Sequence, residues 1–193
     1  MMKTKIMTLL TVIIALCSCS STKAKQQEMN KSEDSKALVV YYSWGGNARE
    51  AATMIREMTN ADIFELQPSV PYTTNREEIE EVAKKEVHEQ YCPELKSLPD
   101  SIDTYNRIFI VSPCWFNTFA PPVRTFLTKV NLDGKTLIPV MSNEGSGMSQ
   151  YISDIKVLAP NAVVTDGLSI YGPNTKEERG SIEGWLRNNG LTK

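Results

Sequence analysis

The stretch ALVVYYSWGGN, residues 37–47, decides the fold, because an apolar run ends there in a tryptophan, two glycines and an asparagine. Residues 37–42 are aliphatic and aromatic, which predicts a buried strand. Residues 47–59 follow with helical spacing and one apolar face, which predicts a helix. Two explanations account for the glycines that lie between the predicted strand and the predicted helix. Either they turn the chain while Asn47 caps the helix, or they expose backbone N–H groups that bind an anion.

Strand-like and helix-like segments alternate through the rest of the chain. Further strands are predicted at 62–66, 107–112, 136–142 and 162–168, and further helices at 76–90, 121–130, 146–158 and 174–189. Pro139 removes a ladder donor from the fourth strand, so we expect a bulge there or a later start of the strand. Apolar strands that alternate with helices predict an α/β fold, with a parallel sheet covered by helices on both faces. Five strands favour the order 2-1-3-4-5.

The first 36 residues are expected to lie outside this fold. Residues 1–5 carry two lysines, and an apolar run follows at 6–16 that is too short for a bilayer span of about 20 residues. We interpret residues 1–19 as a signal peptide. Residues 20–36 are polar and mixed in charge, which predicts a flexible tether. The domain is then residues 37–193.

The sequence LCSC at 16–19 resembles the lipobox of bacterial lipoproteins, because the small residue Ser18 precedes Cys19. The resemblance implies lipidation of Cys19, export, and a membrane anchor on the extracytoplasmic side of a bacterial envelope. Several acyl chains on one cysteine would make that attachment durable. The alternative is cleavage near Ser20 or Ser21 without a lipid.

Composition and charge indicate no highly charged partner. The formal charge is -2, which gives no reason to expect nucleic acid or an anionic membrane surface. The spacing of Cys92 and Cys114 matches no zinc pattern, and we expect both to be free, although an exported protein could oxidise them together. His88 lies in a charged helical stretch without a cluster of ligand candidates. It is therefore predicted to be a surface residue, and no metal site is predicted.

Three predicted strands end in unusual loops at the edge of the sheet where wound α/β proteins bind ligands. The first loop, SWGGN at 43–47, lets backbone approach an anion, and Ser43 adds a hydroxyl. It lacks the lysine of a Walker loop and the G-x-G-x-x-G pattern of dinucleotide sites, so a single phosphate is favoured. Without other evidence, a simple Gly-Gly turn remains an alternative.

The other two loops fit a planar ring. PCWFNTFAPP at 113–122 carries Trp115, Phe116 and Phe119, which either pack on neighbouring helices or offer a flat face to an aromatic ring. Asn117 has a donor and an acceptor for a ring edge. SNEGSG at 142–147 is a polar, glycine-rich turn into a helix. Its backbone N–H groups are suited to donate hydrogen bonds to the polar edge of such a ring. One phosphate and one planar ring, joined by a ribityl chain, make up FMN.

The chain resembles the flavodoxin-like family at these loops. VVYYSWGGNAREAA resembles the strand, phosphate loop and helix of the family, where the usual pattern is an aromatic residue followed by Ser-x-Thr-Gly-Asn-Thr. IVSPCWFNTFAPPVRTFL and IPVMSNEGSG resemble its two flavin-ring loops, and DIFELQPSVPYTTN resembles a branch of small bacterial members. The resemblance covers residues 37–185. It implies a flavodoxin-like three-layer sandwich that binds FMN and carries out oxidoreduction or electron transfer through the flavin ring.

The resemblance also implies a role for each loop residue. The phosphate would be held by Ser43, Gly45, Gly46, Asn47 and Ala48, chiefly through backbone N–H groups. Trp115 would stack on the ring, with Trp44 as a second wall, while Pro113, Cys114, Phe116 and Asn117 would line its polar edge. The pyrimidine side would be contacted by Asn143, Glu144, Gly145 and Ser146, and Ser142 completes the set. Tyr72 either covers the ring or packs within its own loop, and Cys114 is either a redox thiol or simply a small residue.

Two departures from the family pattern bear on function. Gly45 and Ala48 replace threonines, so two hydroxyl donors to the phosphate are missing and weaker FMN binding is predicted. The chain is only mildly acidic, whereas electron carriers of the family are usually strongly acidic, which favours an enzyme or a carrier that docks differently. Three functions stay open. They are electron transfer between protein partners, hydride transfer from a nicotinamide to a quinone-like acceptor, and a membrane-anchored lipoprotein that keeps the fold without FMN.

Overall fold

The computed structural model describes residues 36–192. The predicted signal peptide at 1–19, with Cys19, and the predicted tether up to residue 35 lie outside the described residues. Lys36, which ends that tether, has its Nζ 2.8 Å from Oδ2 of Asp62. Within residues 36–192, no helix combines the length and the apolar character needed to cross a membrane.

The described residues form one sheet with helices around it. The strands are β1 (Ala37–Tyr41), β2 (Asp62–Glu65), β3 (Arg107–Trp115), β4 (Thr118–Phe119), β5 (Thr136–Asn143), β6 (Val163–Val164) and β7 (Leu168–Tyr171). The helices are α1 (Asn47–Thr59), α2 (Arg76–His88), α3 (Pro121–Lys129), α4 (Tyr151–Leu158) and α5 (Arg179–Asn188).

The sheet has the predicted order. Its strands run β2-β1-β3-β5-β6 and are parallel, while β7 also pairs with β5 in parallel and β4 pairs with β3 in antiparallel. Strands β6 and β7 therefore share the fifth position. The prediction of a parallel, five-stranded α/β sheet of order 2-1-3-4-5 is confirmed.

Apolar layers cover both faces of the sheet. In β1, Leu38 and Val40 pack into a layer with α3 and α4, whereas Val39 and Tyr41 pack into the other layer with α1 and α5. Each fully buried aliphatic side chain contributes about 1.5–3 kcal/mol to stability. Burial on both faces explains why the strand reads as a continuous apolar run. Because the paired strands β2, β1, β3, β5 and β6 are parallel, their carboxyl ends meet at one edge of the sheet.

Pro139 lies within a continuous strand that begins at Thr136, so the expected bulge or later start of that strand is wrong, and the irregularity lies in the neighbouring edge segment. Leu137 pairs with Val164 and Val140 pairs with Leu168, so residues 165–167 face only two residues of β5. Gly167 has a φ of +70°, and a Cβ there would lie 2.3 Å from the carbonyl oxygen of Pro139. Only glycine fits at this point. The predicted strand at 162–168 is therefore interrupted, and its second part continues to Tyr171.

Three predicted boundaries are wrong. The third strand, predicted at 107–112, continues to Trp115 and returns as β4 through Phe116 and Asn117, which both have positive φ. Two central residues with positive φ are typical of a tight hairpin turn. The helix predicted at 146–158 begins only at Tyr151, and the helix predicted at 174–189 begins only at Arg179.

Candidate functional site

A cavity of about 550 Å³ opens at the carboxyl edge of the sheet, between the loops that follow β1, β3 and β5. Its volume falls in the range of about 300–1,000 Å³ that small-molecule sites occupy. Most predicted site residues line it, namely Ser43, Trp44, Gly45, Asn47, Ala48, Pro113, Cys114, Trp115, Phe116, Ser142, Asn143, Glu144 and Ser146. Gly46, Asn117 and Gly145 belong to the same loops but do not line the cavity.

One wall of the cavity is a face of α2 that the sequence did not assign to the site. Arg76, Ile79, Glu80 and Ala83 line the cavity, and their spacing of three and four places them on one side of the helix. Ile79 and Ala83 are buried, whereas Arg76 and Glu80 are exposed. The periodicity was visible in the sequence, but it does not tell which surface the helix covers. Gly172, after β7, also lines the cavity and was missed as well.

The loop after β1 leaves the start of α1 without a side-chain cap. Gly46 is the N-cap residue, with a φ of +97°, and no side chain bonds to the first turn. Asn47 is the first helical residue, so the alternative in which it caps the helix is wrong. Ser43 Oγ accepts a hydrogen bond of 3.1 Å from the Gly46 N–H and so shapes the loop. The first N–H groups of α1 lie at the positive end of the helix dipole, a favourable place for an anion.

The loop after β5 is held by one buried side chain. Asn143 Oδ1 accepts hydrogen bonds from the N–H groups of Gly145 and Gly147, at 2.8 and 3.1 Å. Its Nδ2 donates to Ser169 Oγ at 2.8 Å and to the carbonyl oxygen of Ile170 at 3.2 Å. The amide of Asn143 is thus fully engaged within the protein. Its part in the site is to fix the shape of the loop.

Trp115 belongs to an aromatic cluster with Tyr42 and Tyr72. The ring centroids of Trp115 and the two tyrosines are 5.7 and 5.3 Å apart, in edge-to-face arrangements. Tyr72 donates a hydrogen bond to Glu86 and does not line the cavity, which favours packing within its own region over a lid on the ring. Burial raises the pKa of both tyrosines above its ordinary value, so both hydroxyls stay protonated.

The other aromatic residues of the site divide between cavity and core. The Trp44 indole N–H donates to the carbonyl oxygen of Thr73 at 2.8 Å, which fixes the tryptophan at the cavity wall. Phe116 lines the cavity and is exposed. Phe119 is buried against Tyr151, so the packing explanation holds for that residue.

Charges of both signs lie at the mouth of the cavity. Arg76 Nη2 is 3.6 Å from Glu144 Oε2, and these side chains are 74% and 66% exposed. Among the described residues that line the cavity, Arg76 is the only cation, beside the two carboxylates of Glu80 and Glu144.

Cys92 and Cys114 are free, as predicted. Ser146 Oγ donates to Cys114 Sγ at 3.3 Å and so links the loop that follows β5 to the end of β3. Cys92 is exposed and lies away from the cavity lining. In the part of the chain that the structure describes, no group of histidine, cysteine or carboxylate side chains could hold a metal ion.

The chain belongs to the flavodoxin family, because the family model described as Flavodoxin matches residues 36–189. It is similar to a candidate flavoprotein from Bacteroides eggerthii, at 25% identity and a TM-score of 0.70 over 82% of this chain and 100% of the other. A candidate flavoprotein from Bacteroides uniformis gives 24% identity and a TM-score of 0.69 over 79% of this chain and 98% of the other. None of the curated proteins matches the chain.

A flavoprotein from Lactobacillus acidophilus, whose crystal structure contains FMN, shares 21% identity with this chain. The TM-score is 0.63, over 76% of this chain and 99% of the other. These TM-scores indicate the same overall fold as the observed α/β sheet. The predicted flavodoxin-like fold is confirmed.

Proposed function

We propose that this protein binds FMN in the cavity at the carboxyl edge of the sheet and acts as a flavin-dependent redox protein. The observation that carries the proposal is the meeting of three loops, predicted separately for a phosphate, a ring face and a ring edge, at one cavity of about 550 Å³. Membership in the flavodoxin family supports it. So does the similar fold of the Lactobacillus acidophilus protein, which was solved with FMN.

The residues at the phosphate end fit this group. The first turn of α1 has no side-chain cap, and a Cβ at Gly45 would meet nothing within 4 Å. An uncapped helix start next to open space can accept a phosphate through backbone N–H groups. The fit is weaker than in the family pattern, since Gly45 and Ala48 provide no hydroxyl. Each missing neutral hydrogen bond is worth about 0.5–1.5 kcal/mol.

The residues at the ring end supply fixed apolar faces and a shaped polar edge. When bound, FMN supplies the redox chemistry of its ring. Trp115 is held by two tyrosine edges and Trp44 by its hydrogen bond to Thr73, so both indoles keep their places at the cavity. Asn143 fixes the shape of the loop after β5, which also lines the cavity. The Glu144 carboxylate disfavours further negative charge nearby, and Arg76 offsets part of that effect.

Titration of FMN into the purified protein, followed by flavin fluorescence, tests the proposal. We expect quenching that saturates at one FMN per chain and a higher melting temperature in excess FMN. A bulky residue at the phosphate site, Gly45→Trp, should abolish binding. Gly180→Trp is the matched control, because a Cβ at Gly180 also meets nothing within 4 Å and the residue lies outside the cavity. Wild-type protein that neither quenches FMN nor gains stability would overturn the proposal.

Two redox activities remain to be separated. In one, the protein passes electrons between protein partners. In the other, it takes hydride from a nicotinamide and reduces a quinone-like acceptor. NADH or NADPH added to the FMN-loaded protein without a partner distinguishes them. Rapid bleaching of the flavin absorbance supports the second activity, and unchanged absorbance rules it out.

A second candidate is a lipoprotein that keeps the fold without binding FMN. The observation that favours it is the absence of hydroxyls at Gly45 and Ala48, where the family pattern has threonines. Saturable binding of FMN in the titration would reject it.

We also propose that Cys19 is lipidated and anchors the exported domain to a membrane, on the strength of the LCSC sequence at 16–19. Mass spectrometry of the N-terminal peptide from envelope protein tests this. Cys19→Ser should release the domain from the membrane fraction. Cys17→Ser is the matched control and should leave it attached. A peptide that starts at Ser20 or Ser21 without a lipid would overturn the proposal.

A further inference from the structure

We infer that a groove beside α2 docks a basic segment of a partner protein, in which lysine or arginine side chains flank apolar ones. The groove has a volume of about 970 Å³ and lies between α2, the loop at 69–73 and the segment at 91–94. Among the described residues, it shares none of its lining with the cavity proposed for FMN. The inference therefore goes beyond the proposed function and does not depend on it.

Helix α2 separates the groove from the cavity. Ile79 and Ala83 lie on the face of the helix that lines the cavity. The helical repeat places a second set of side chains on the opposite face, and these line the groove. They are Glu77, Glu78, Glu81, Val82 and Glu86. One face of α2 thus serves the cavity, and the other is available to a different molecule.

Hydrogen bonds between the three segments hold the groove in shape. The N–H of Ser69 donates to the carbonyl oxygen of Glu94 at 2.8 Å, which joins the loop after β2 to the segment after α2. The hydroxyl of Tyr72 donates to the Glu86 carboxylate at 2.5 Å, which joins the same loop to α2. The groove is therefore formed before any partner arrives, so little ordering opposes docking.

Exposed apolar side chains are concentrated in the groove. Val70 is 81% exposed, Tyr91 is 48% exposed and Val82 is 38% exposed. Eight large apolar side chains are exposed within residues 36–192, and these three line the same groove. Scattered exposed apolar residues are ordinary, but a group of them on one concave surface indicates an interaction site. An occupant with apolar side chains of its own would cover them.

The charge of the groove decides which partner fits. Five carboxylates line it, and its described lining contains neither lysine nor arginine. None of the five ion pairs formed within residues 36–192 involves these carboxylates. A cationic partner is therefore complementary, and an anionic one is repelled. The overall charge of -2 did not indicate this local concentration.

A protein segment matches the groove better than a small organic cation does. The carboxylates come from α2 and from Glu94 in a separate segment, so one cation cannot contact all of them. The exposed apolar side chains lie in the same groove. A segment with several lysines around an apolar residue satisfies both features at once, and the aliphatic stem of each lysine adds apolar contact. The volume also lies at the upper end of the range of about 300–1,000 Å³ for small-molecule sites.

Fluorescence anisotropy of a short dye-labelled peptide of alternating lysine and leucine tests the inference on the purified protein. We expect saturable binding of one peptide per chain that weakens as salt is added. Glu77→Gln combined with Glu81→Gln should weaken binding about 2- to 10-fold and reduce its dependence on salt. Val70→Ser should weaken binding about 2- to 10-fold and leave the dependence on salt unchanged. Val70 is mostly exposed, so this substitution should not affect folding.

Each variant has a matched control outside the groove. Glu177→Gln combined with Glu183→Gln removes the same amount of charge, and Val157→Ser changes a valine that is 75% exposed. Both controls should bind the peptide like the wild type.

Four results would overturn the inference. The first is a wild-type protein that does not bind the peptide, and the second is groove variants that bind it as well as their controls do. The third is displacement of the peptide by an equal concentration of phenylethylamine, which would make the groove a small-molecule site. The fourth is a dimer of the wild type that Val70→Ser dissociates, which would make the occupant a second copy of this chain.

Discussion

Replacement of Gly45 by threonine should strengthen FMN binding. Gly45 lines the cavity in the loop that leads into α1, and it stands where the family pattern has a threonine. A Cβ at this position would meet nothing within 4 Å, and φ does not lie in the left-handed region. A threonine can therefore be added without strain, and it returns a hydroxyl donor to the proposed phosphate site.

The size of the effect follows from one added hydrogen bond. A neutral hydrogen bond contributes about 0.5–1.5 kcal/mol, which corresponds to about a 2- to 12-fold lower Kd. Fluorescence titration of FMN at constant salt measures it, with the melting temperature recorded alongside. The neighbouring glycine provides the control. Gly46 has a φ of +97°, so Gly46→Thr should cost about 1–2 kcal/mol of stability and bring no gain in affinity.

The result that would refute this reasoning is specific. If Gly45→Thr has the melting temperature of the wild type and binds FMN no more tightly, the loop does not hold the phosphate. Tighter FMN binding by Gly46→Thr than by Gly45→Thr would also contradict the loop geometry, in which Gly45 and not Gly46 accepts a side chain without strain.

Two further predictions concern stability. Gly167→Ala should destabilise the fold by about 2–4 kcal/mol, because the new Cβ would meet the carbonyl oxygen of Pro139 at 2.3 Å and φ is +70°. Gly134→Ala, at a φ of +71° with nothing within 4 Å, should cost only about 1–2 kcal/mol, and equal losses in urea unfolding would contradict the bulge geometry. Burial raises the pKa of the Glu86 carboxyl above its ordinary value of 4.5, despite the hydrogen bond from Tyr72. The folded state then binds this proton more tightly than the unfolded state, so stability falls as the pH rises from 4.5 through the higher folded-state pKa. Glu86→Gln should flatten that fall in urea unfolding across the acidic range, and an unchanged pH profile would contradict it.

Much of the fold could be predicted because its signals are local. The apolar run at 37–42 reads as a strand buried on both faces, and its alternate residues do pack into two layers. Pro139 indicated an irregularity in its own strand, but that strand is continuous and the bulge lies in the edge strand beside it. The loops at 43–47, 113–117 and 142–147 meet because parallel strands bring their carboxyl ends to one edge.

The remaining features depend on contacts that no local pattern reveals. The helix predicted from residue 146 starts at Tyr151, because Gly145, Gly147 and Ser149 all adopt positive φ while Asn143 holds the turn. The wall of the cavity formed by α2 depends on where that helix packs. The same apolar spacing would fit a helix packed against any part of the protein surface. Arg76 could be assigned to the site only once that packing was known.

A crystal structure of the protein grown in saturating FMN tests the central claim most directly. We expect density for one FMN in the cavity, with its phosphate at the first N–H groups of α1 and its ring beside Trp115. A cavity that stays empty at saturating FMN, or FMN bound elsewhere on the chain, would contradict the claim.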